Sequence, residues 1–371
     1  MKLLFITYHY LNGKGGGVFA SRAYINAFAE IADDMTLLYP MKDGAYAVDI
    51  NPKVKNIPVW DRRGKIRKFF DMLTGRFNRY RHIQRYIGDN HYDMVVFDSS
   101  MVTRGVIGYF KRQGCKIITI HHNYQYEYFR DNSKHPTRIP TLFWSKIQER
   151  EAVRLSDLNL TLTKADKELL SQHYGNGKEK IEVLGTFEYD VQSHIVGDDI
   201  AKGNFLITGN LGAIQTEQSL IPWMNEYYPY LTEVFPDASV TLAGKSPSDR
   251  LRRIAEKHNI SIIASPDDMN PILAQAKYYI CPTSLGGGLK LRVMDGLKAG
   301  LPVLCHAVSA RGYEKFVESG ILFVYSDIAS FIEQLKNIKN FRKTKKEIVE
   351  LYEQEFSFLN GVSRLRKLLP Q

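Results

Sequence analysis

Cysteine is scarce: Cys115, Cys281 and Cys305 are the three in 371 residues, and they are scattered. Their spacing matches neither a disulfide framework nor a metal knuckle, so buried free thiols in a reducing compartment are the expectation. Long apolar runs are also missing. None approaches the roughly 20 residues needed to span a bilayer. The opening stretch MKLLFITYHY is too short and too polar at its end to read as a secretion signal. Acidic residues are outnumbered, 40 against 50 basic ones, giving a formal charge of +10 and a pI near 9.2. Such a balance suits phosphorylated ligands, anionic lipid or nucleic acid, and charge alone does not choose among them. The basic residues are not interleaved in any nucleic-acid-binding motif, so no nucleic acid is expected as partner. No D-x-D pair occurs in the chain, and no metal site is expected.

What is present is an ordinary globular composition, 44% hydrophobic and 24% charged, which excludes extensive disorder. The length suits two domains better than one core. Short β-rich apolar runs alternate with amphipathic stretches, the pattern of a doubly wound α/β protein. One series of strands is expected at Lys2–Tyr8, Met35–Tyr39, Tyr92–Phe97, Lys116–His121, Leu158–Leu162 and Lys180–Leu184. A second is expected at Asn204–Thr208, Ser239–Ala243, Ile260–Ala264, Tyr278–Cys281, Pro302–His306 and Ile321–Tyr325. Between them Thr186–Gly203 loses its apolar period and reads as a linker. We therefore expect a Rossmann-like domain at 1–190 and a Rossmann-like ligand-binding domain at 191–340. A helical segment at 341–371 is expected to pack back on the first. Ligands of such sheets sit at the carboxyl ends of strands, here in a cleft between the two domains, which singles out the residues just after strands.

The most informative segment is Tyr278–Val303, YYICPTSLGGGLKLRVMDGLKAGLPV. A buried strand ends at Pro282, and Gly286, Gly287 and Gly288 let backbone approach a ligand closely. A helix is expected from about Leu289, its first amides and positive dipole end forming an anion site. Lys290 adds a full charge on its first turn, and Asp295, about one and a half turns on, can reach back toward a ribose. Gly300 ends the helix. A tight turn with a solvated lysine and a surface carboxylate is the plain alternative for these residues taken singly; their joint spacing before A-G-L-P-V argues for the site.

This run resembles the donor-binding motif of the retaining glycosyltransferases built from two Rossmann-like domains (the GT-B fold), specifically glycosyltransferase family 4. Further blocks agree in order: Gly15–Gly17 followed by Arg22 after the first strand, HHNYQYEYFR at 121–130, Glu151 and Asp157 before LNLTLTKAD, and PDDMNPILAQAKYYICPT before the donor motif. The likeness covers most of the chain and is strongest over 205–326. Two glutamates eight positions apart are common in the family, whereas this chain has Gly287 and Asp295 there, and Gln125 replaces another usual glutamate.

The resemblance implies a hexosyltransferase using a nucleotide-sugar such as a UDP- or GDP-sugar, without metal. The acceptor would be a glycan, a lipid-linked sugar or another cell-surface polysaccharide. It implies Lys290 and His122 as catalytic groups, with His121 the competing histidine. The donor would meet Gly209, Lys245, Gly286, Gly287, Gly288, Leu289 and Asp295, and Gly15, Gly16, Gly17 and Arg22 would face the acceptor or the cleft. A cytoplasmic setting is expected, peripheral at the inner membrane face where the basic segment at 62–85 meets anionic lipid. A nucleotide-sugar epimerase and a non-catalytic sugar- or partner-binding subunit on the same fold are the rival readings.

One segment stays open. Residues 60–86 carry nine Arg or Lys against two Asp, and Ile66, Phe69, Phe70 and Leu73 recur at helical spacing, with Phe77, Tyr80 and Ile83 continuing the theme. A basic amphipathic helix suits an anionic membrane surface; a core-facing stripe with a solvated basic face is the alternative.

Overall fold

The computed structural model describes residues 1–13, 15–41, 50–61, 63–132, 138–189 and 204–369. They form two compact units, Met1–Val191 with Phe356–Gln371, and Gln192–Glu355.

In the first unit, seven described strands run β1 (Lys2–Thr7), β2 (Asp34–Met41), β3 (Lys55–Trp60), β4 (Met94–Asp98), β5 (Lys116–His121), β6 (Leu158–Thr161) and β7 (Ile181–Val183). They make one sheet in the order β3-β2-β1-β4-β5-β6-β7. Every described pairing is parallel. The central strands are apolar throughout because both faces are covered: Leu3, Leu4, Phe5 and Ile6 are all fully buried. The chain leaves β1 for β2 and β3, then returns on the other side to β4. That reversal opens a crevice at the carboxyl ends of β1 and β4, where such sheets take ligands.

The second unit repeats the plan with β8 (Asn204–Asn210), β9 (Ser239–Lys245), β10 (Ser261–Ala264), β11 (Tyr278–Cys281), β12 (Val303–His306) and β13 (Leu322–Tyr325). Their order is β10-β9-β8-β11-β12-β13, again with parallel pairings. Its core gathers Phe205, Ile207, Trp223, Leu242, Ile280, Phe331 and Leu335, and its reversal falls between β8 and β11. All three cysteines are buried and free.

Several expectations need correcting. Strand β3, KNIPVW, was not foreseen: it is an edge strand with Pro58 and mostly exposed residues, so it lacks the apolar signal of its neighbours. Of the expected linker, Thr186 and Phe187 are buried, and Glu188 donates from its backbone to Phe356 O. Phe187 lies edge-on to both Tyr24 and Phe358, so burial of one aromatic ties this stretch into the first unit. The rest of the linker, 190–203, lies outside the described residues. The segment 341–371 is divided: most of the helix Lys345–Phe356 belongs to the second unit and the helix Phe358–Leu368 to the first. Within the basic segment, Tyr80 and Ile83 do enter the core, whereas no residue of the helix Lys65–Leu73 is buried. The core-facing alternative therefore holds only after that helix.

Candidate functional site

In the second unit the ends of β8 and β9 are joined by glycines. Gly209 pairs with Gly244 and Asn210 with Lys245. A Cβ on Gly244 would stand 1.7 Å from Gly209 O, and one on Gly209 would stand 2.4 Å from Arg292 Nε. Only bare backbone lets the two strands close and the guanidinium lie across them. Arg292 donates from Nη2 to Thr216 Oγ1 at 2.7 Å.

The glycine loop follows β11. Gly286 and Gly288 have φ of 80° and 73°, a region L side chains rarely adopt. A Cβ on Gly286 would meet Gln215 Nε2 at 2.1 Å. That amide nitrogen is buried and has no hydrogen-bond partner among the described residues, so a donor waits beside the loop. All three loop glycines are buried and Leu289 is half-buried.

The helix after the loop is Arg292–Lys298, so it starts three residues later than the expected Leu289. Lys290 thus lies in the loop, not on the first turn. Its half-buried ammonium folds back, donating to Gly286 O and Gly287 O, both at 2.9 Å, and Tyr313 Oη donates to its carbonyl at 2.9 Å. With alternating positive φ, the loop turns carbonyls inward, and these capture the nearest cation. Asp295 is exposed on the helix and Lys245 is exposed at the end of β9. One edge of one sheet therefore carries Lys245, Lys290 and Arg292 around bare glycine backbone, with Asp295 beside them. The set suits a phosphate-bearing ligand with a hydroxylated ring.

In the first unit, β4 ends on Asp98, which is fully buried. Thr7 Oγ1 donates to it at 2.6 Å, and His122 Nε2 at 2.5 Å. Burial opposes ionisation of Asp98, yet the charge and hydrogen bond of His122, with His9 and Ser21, outweigh it and hold the carboxyl below its ordinary range. An ionised carboxylate only accepts, so the proton of His122 is fixed on Nε2 and its Nδ1 is the free position. His122 Nδ1 is buried without a partner among the described residues.

His9 stands edge-on to His122 with ring centroids 5.1 Å apart. Burial, and then repulsion from His122, push His9 down to about 4, with Asp98 opposing. His121 points elsewhere: it is buried, bonded to Asn159 at 3.0 Å, and pushed by burial to about 4. Of the two histidines, His122 is the one at the carboxylate.

Gly15 caps the helix Gly16–Ala29 with extended backbone, and Gly17 sits under the His9 ring, where a Cβ would come within 2.7 Å. Arg22 is spent on its own loop: its guanidinium donates to Leu11 O at 2.8 Å through Nε and to Gly13 O at 3.2 Å. These bonds order the glycine loop.

Asp98, His9, Gln215 and Arg292 were missed from sequence. Asp98 and His9 were accessible by the strand-end rule applied to β1 and β4; Gln215 and Arg292 sit on flanking helices and carried no signal. An open hollow of about 590 Å³ beside Glu30, Leu359, Val362 and Arg366 lies away from Asp98 and His122, since Glu30 ends the helix that starts at the carboxyl edge.

Residues 203–340 match the family model described as glycosyl transferases group 1. That span covers most of the second unit.

Both units share the GT-B fold with solved structures. An apo lipopolysaccharide outer core galactosyltransferase, WaaB, is 12% identical with a TM-score of 0.65, covering 99% of each chain. A TarM variant from S. aureus, solved with fondaparinux, α-GlcNAc-glycerol and UDP, is 11% identical with a TM-score of 0.64, covering 99% of each chain. A curated relative, the uncharacterized 44.6 kDa protein in the cps region of Klebsiella pneumoniae, is 27% identical over 187 residues, 48% of this chain and 46% of its own length. The chain thus spans about half the length of that relative. The matched span includes Gly209, Gln215, Lys245, the glycine loop, Lys290, Arg292 and Asp295.

Proposed function

We propose that this protein moves a sugar from a nucleoside diphosphate sugar, such as a UDP- or GDP-sugar, to a hydroxyl of a glycan, lipid-linked or other cell-surface polysaccharide acceptor. The observation that carries this is the cationic, glycine-bare edge at β8, β9 and β11 inside the matched domain. In this reading Lys245, Lys290 and Arg292 face the diphosphate, Gln215 and the loop amides donate to it, and Asp295 accepts from ribose hydroxyls.

The bond from the anomeric carbon to the β-phosphate oxygen breaks and its electron pair leaves with the nucleoside diphosphate. The acceptor oxygen forms the new bond on the same face, and its proton passes to the departing phosphate, which retains configuration. Fixed donors aimed at the oxygen that gains charge are the principal catalytic device. Lys290 is assigned that role together with the loop backbone. His122, held by Asp98 with Nδ1 unprotonated in its neutral form, is assigned to the donor sugar or the acceptor hydroxyl in the first unit. No resident metal is assigned.

Among the described residues no helix is long and apolar enough to cross a membrane; we assign a cytoplasmic setting. The deciding experiment is thermal stabilisation by UDP, GDP and ADP and their sugars, followed by transfer to an acceptor panel. Ligand at 100 times its dissociation constant adds about 2.7 kcal/mol of stability. Gly287, standing where a glutamate is common, favours a second reading as a non-catalytic subunit. No stabilisation by any diphosphonucleoside would leave that reading and remove the first.

A further inference from the structure

The helix Lys65–Leu73 is turned inside out. At about 100° per residue, Ile66, Phe69, Phe70 and Leu73 share one stripe, with Lys65 and Arg67 on its two borders and Lys68, Asp71 and Met72 on the remaining face. It is that remaining face which holds the protein. Asp71 pairs with Arg63 at 2.9 Å and Lys68 with Asp61 at 3.5 Å, while Met72 Sδ accepts from the Thr141 hydroxyl at 3.7 Å. The apolar stripe is left outside: Ile66 is 77% exposed, Phe70 58%, Phe69 49% and Leu73 45%. A stripe of this kind ordinarily faces a core, and a large exposed one marks an interaction surface.

A second element that touches this helix also exposes apolar side chains. The helix Arg138–Leu155 presents Ile139 and Phe143, 78% and 57% exposed and one turn apart. The two helices touch where Trp144 Nε1 donates to Leu73 O at 3.2 Å. Lys65, Arg67 and Arg76 are exposed around this face, whereas Asp61 and Asp71 are drawn into ion pairs. Both helices begin at the carboxyl edge of the sheet, one directly after β3 and the other on its way back to β6. Asp98 and His122 end β4 and follow β5 at that same edge.

We propose that this face docks the protein on an anionic lipid bilayer, with Ile66, Phe69, Phe70, Leu73, Ile139 and Phe143 at the level of the upper acyl chains. Lys65 and Arg67 then reach lipid phosphates from the borders of the stripe, the snorkelling geometry long basic side chains favour at such an interface. The complement is chemical: apolar rings rimmed by cations, on a protein of formal charge +10, fit an apolar layer beneath an anionic one. Docking there brings the edge holding His122 next to whatever lipid-linked substrate the bilayer presents.

The test is flotation of the full chain with phosphatidylcholine vesicles, with and without a third of the lipid replaced by phosphatidylglycerol. Wild type floats with the anionic vesicles and salt reduces this only in part, since burial of the rings is not screened. Phe69→Ser/Phe70→Ser/Ile139→Ser lowers the partition about tenfold or more, and Lys65→Gln/Arg67→Gln lowers only the anionic preference. Unchanged stabilisation by UDP in both variants certifies their fold and reports on the transferase reading separately. The proposal is overturned by wild type that stays with neither vesicle or binds both equally, or by a triple serine variant that floats like wild type. A wild-type dimer that the triple serine variant dissolves also overturns it, by giving the face to a second copy.

Discussion

Lys290 offers the sharpest test of the catalytic assignment, because the structure gives it two separable tasks. Its ammonium bonds two loop carbonyls at 2.9 Å, and it is the charge assigned to the departing diphosphate. Hydrogen bonds to charged groups are worth about 1.5–3 kcal/mol when buried. This ammonium is half-buried, so water can replace it, and truncation to alanine should destabilise the fold by only about 1 kcal/mol. That corresponds to a fall in Tm of about 2–4 °C. Losing a transition-state donor costs about 2.7–4 kcal/mol, or roughly 10²–10³ in rate. Lys290→Ala should therefore keep a near-normal melting curve while kcat falls by roughly 10²–10³, with donor affinity changing far less. Steady-state kinetics with a saturating acceptor and isothermal titration of UDP separate the two effects. A variant with normal kcat and raised KM would make Lys290 a loop fastener and refute the catalytic assignment.

Other outcomes follow from the same geometry. Asp295→Ala should weaken nucleotide binding in a folded protein and Asp295→Glu should tolerate it; unchanged affinity in the alanine variant would remove the ribose contact. Transfer should continue at full rate in EDTA, and complete loss there would require a metal-assisted step. Acid should act through His121, held at about 4 against about 6.5 in the unfolded chain. The unfolded state binds the extra proton between those values, so stability is present above pH 6.5 and lost as pH falls toward 4. Relative to wild type, His121→Gln should recover about 2 kcal/mol of stability between roughly pH 7.5 and pH 5, read from urea midpoints. Glu149, pushed by burial up to about 8, titrates in the opposite sense, which is why the comparison is between variants rather than between pH values. Equal pH dependence in wild type and variant would mean His121 is charged in the folded state.

Sequence by itself determined the architecture and the glycine-rich edge of the second unit. Local period decides which residues share a face: twelve of thirteen described strands were legible, most of them because buried parallel strands are apolar throughout. The strand, glycine loop, acidic residue and A-G-L-P-V of 278–303 lie within one local unit, so their chemistry could be read from spacing. Tertiary structure decided whatever depends on partners distant along the chain. Asp98 and His122 meet only because β4 and β5 are neighbours with parallel ends. Arg22 fastens its own loop because Leu11 O and Gly13 O lie within its reach. Phe187 closes an expected linker because two rings from elements far apart in sequence cover it. The stripe of Ile66, Phe69, Phe70 and Leu73 was plain in the sequence, but a period cannot say which side a helix turns to the protein. Ion pairs from Asp61 and Arg63 to the opposite face settled that it turns outward.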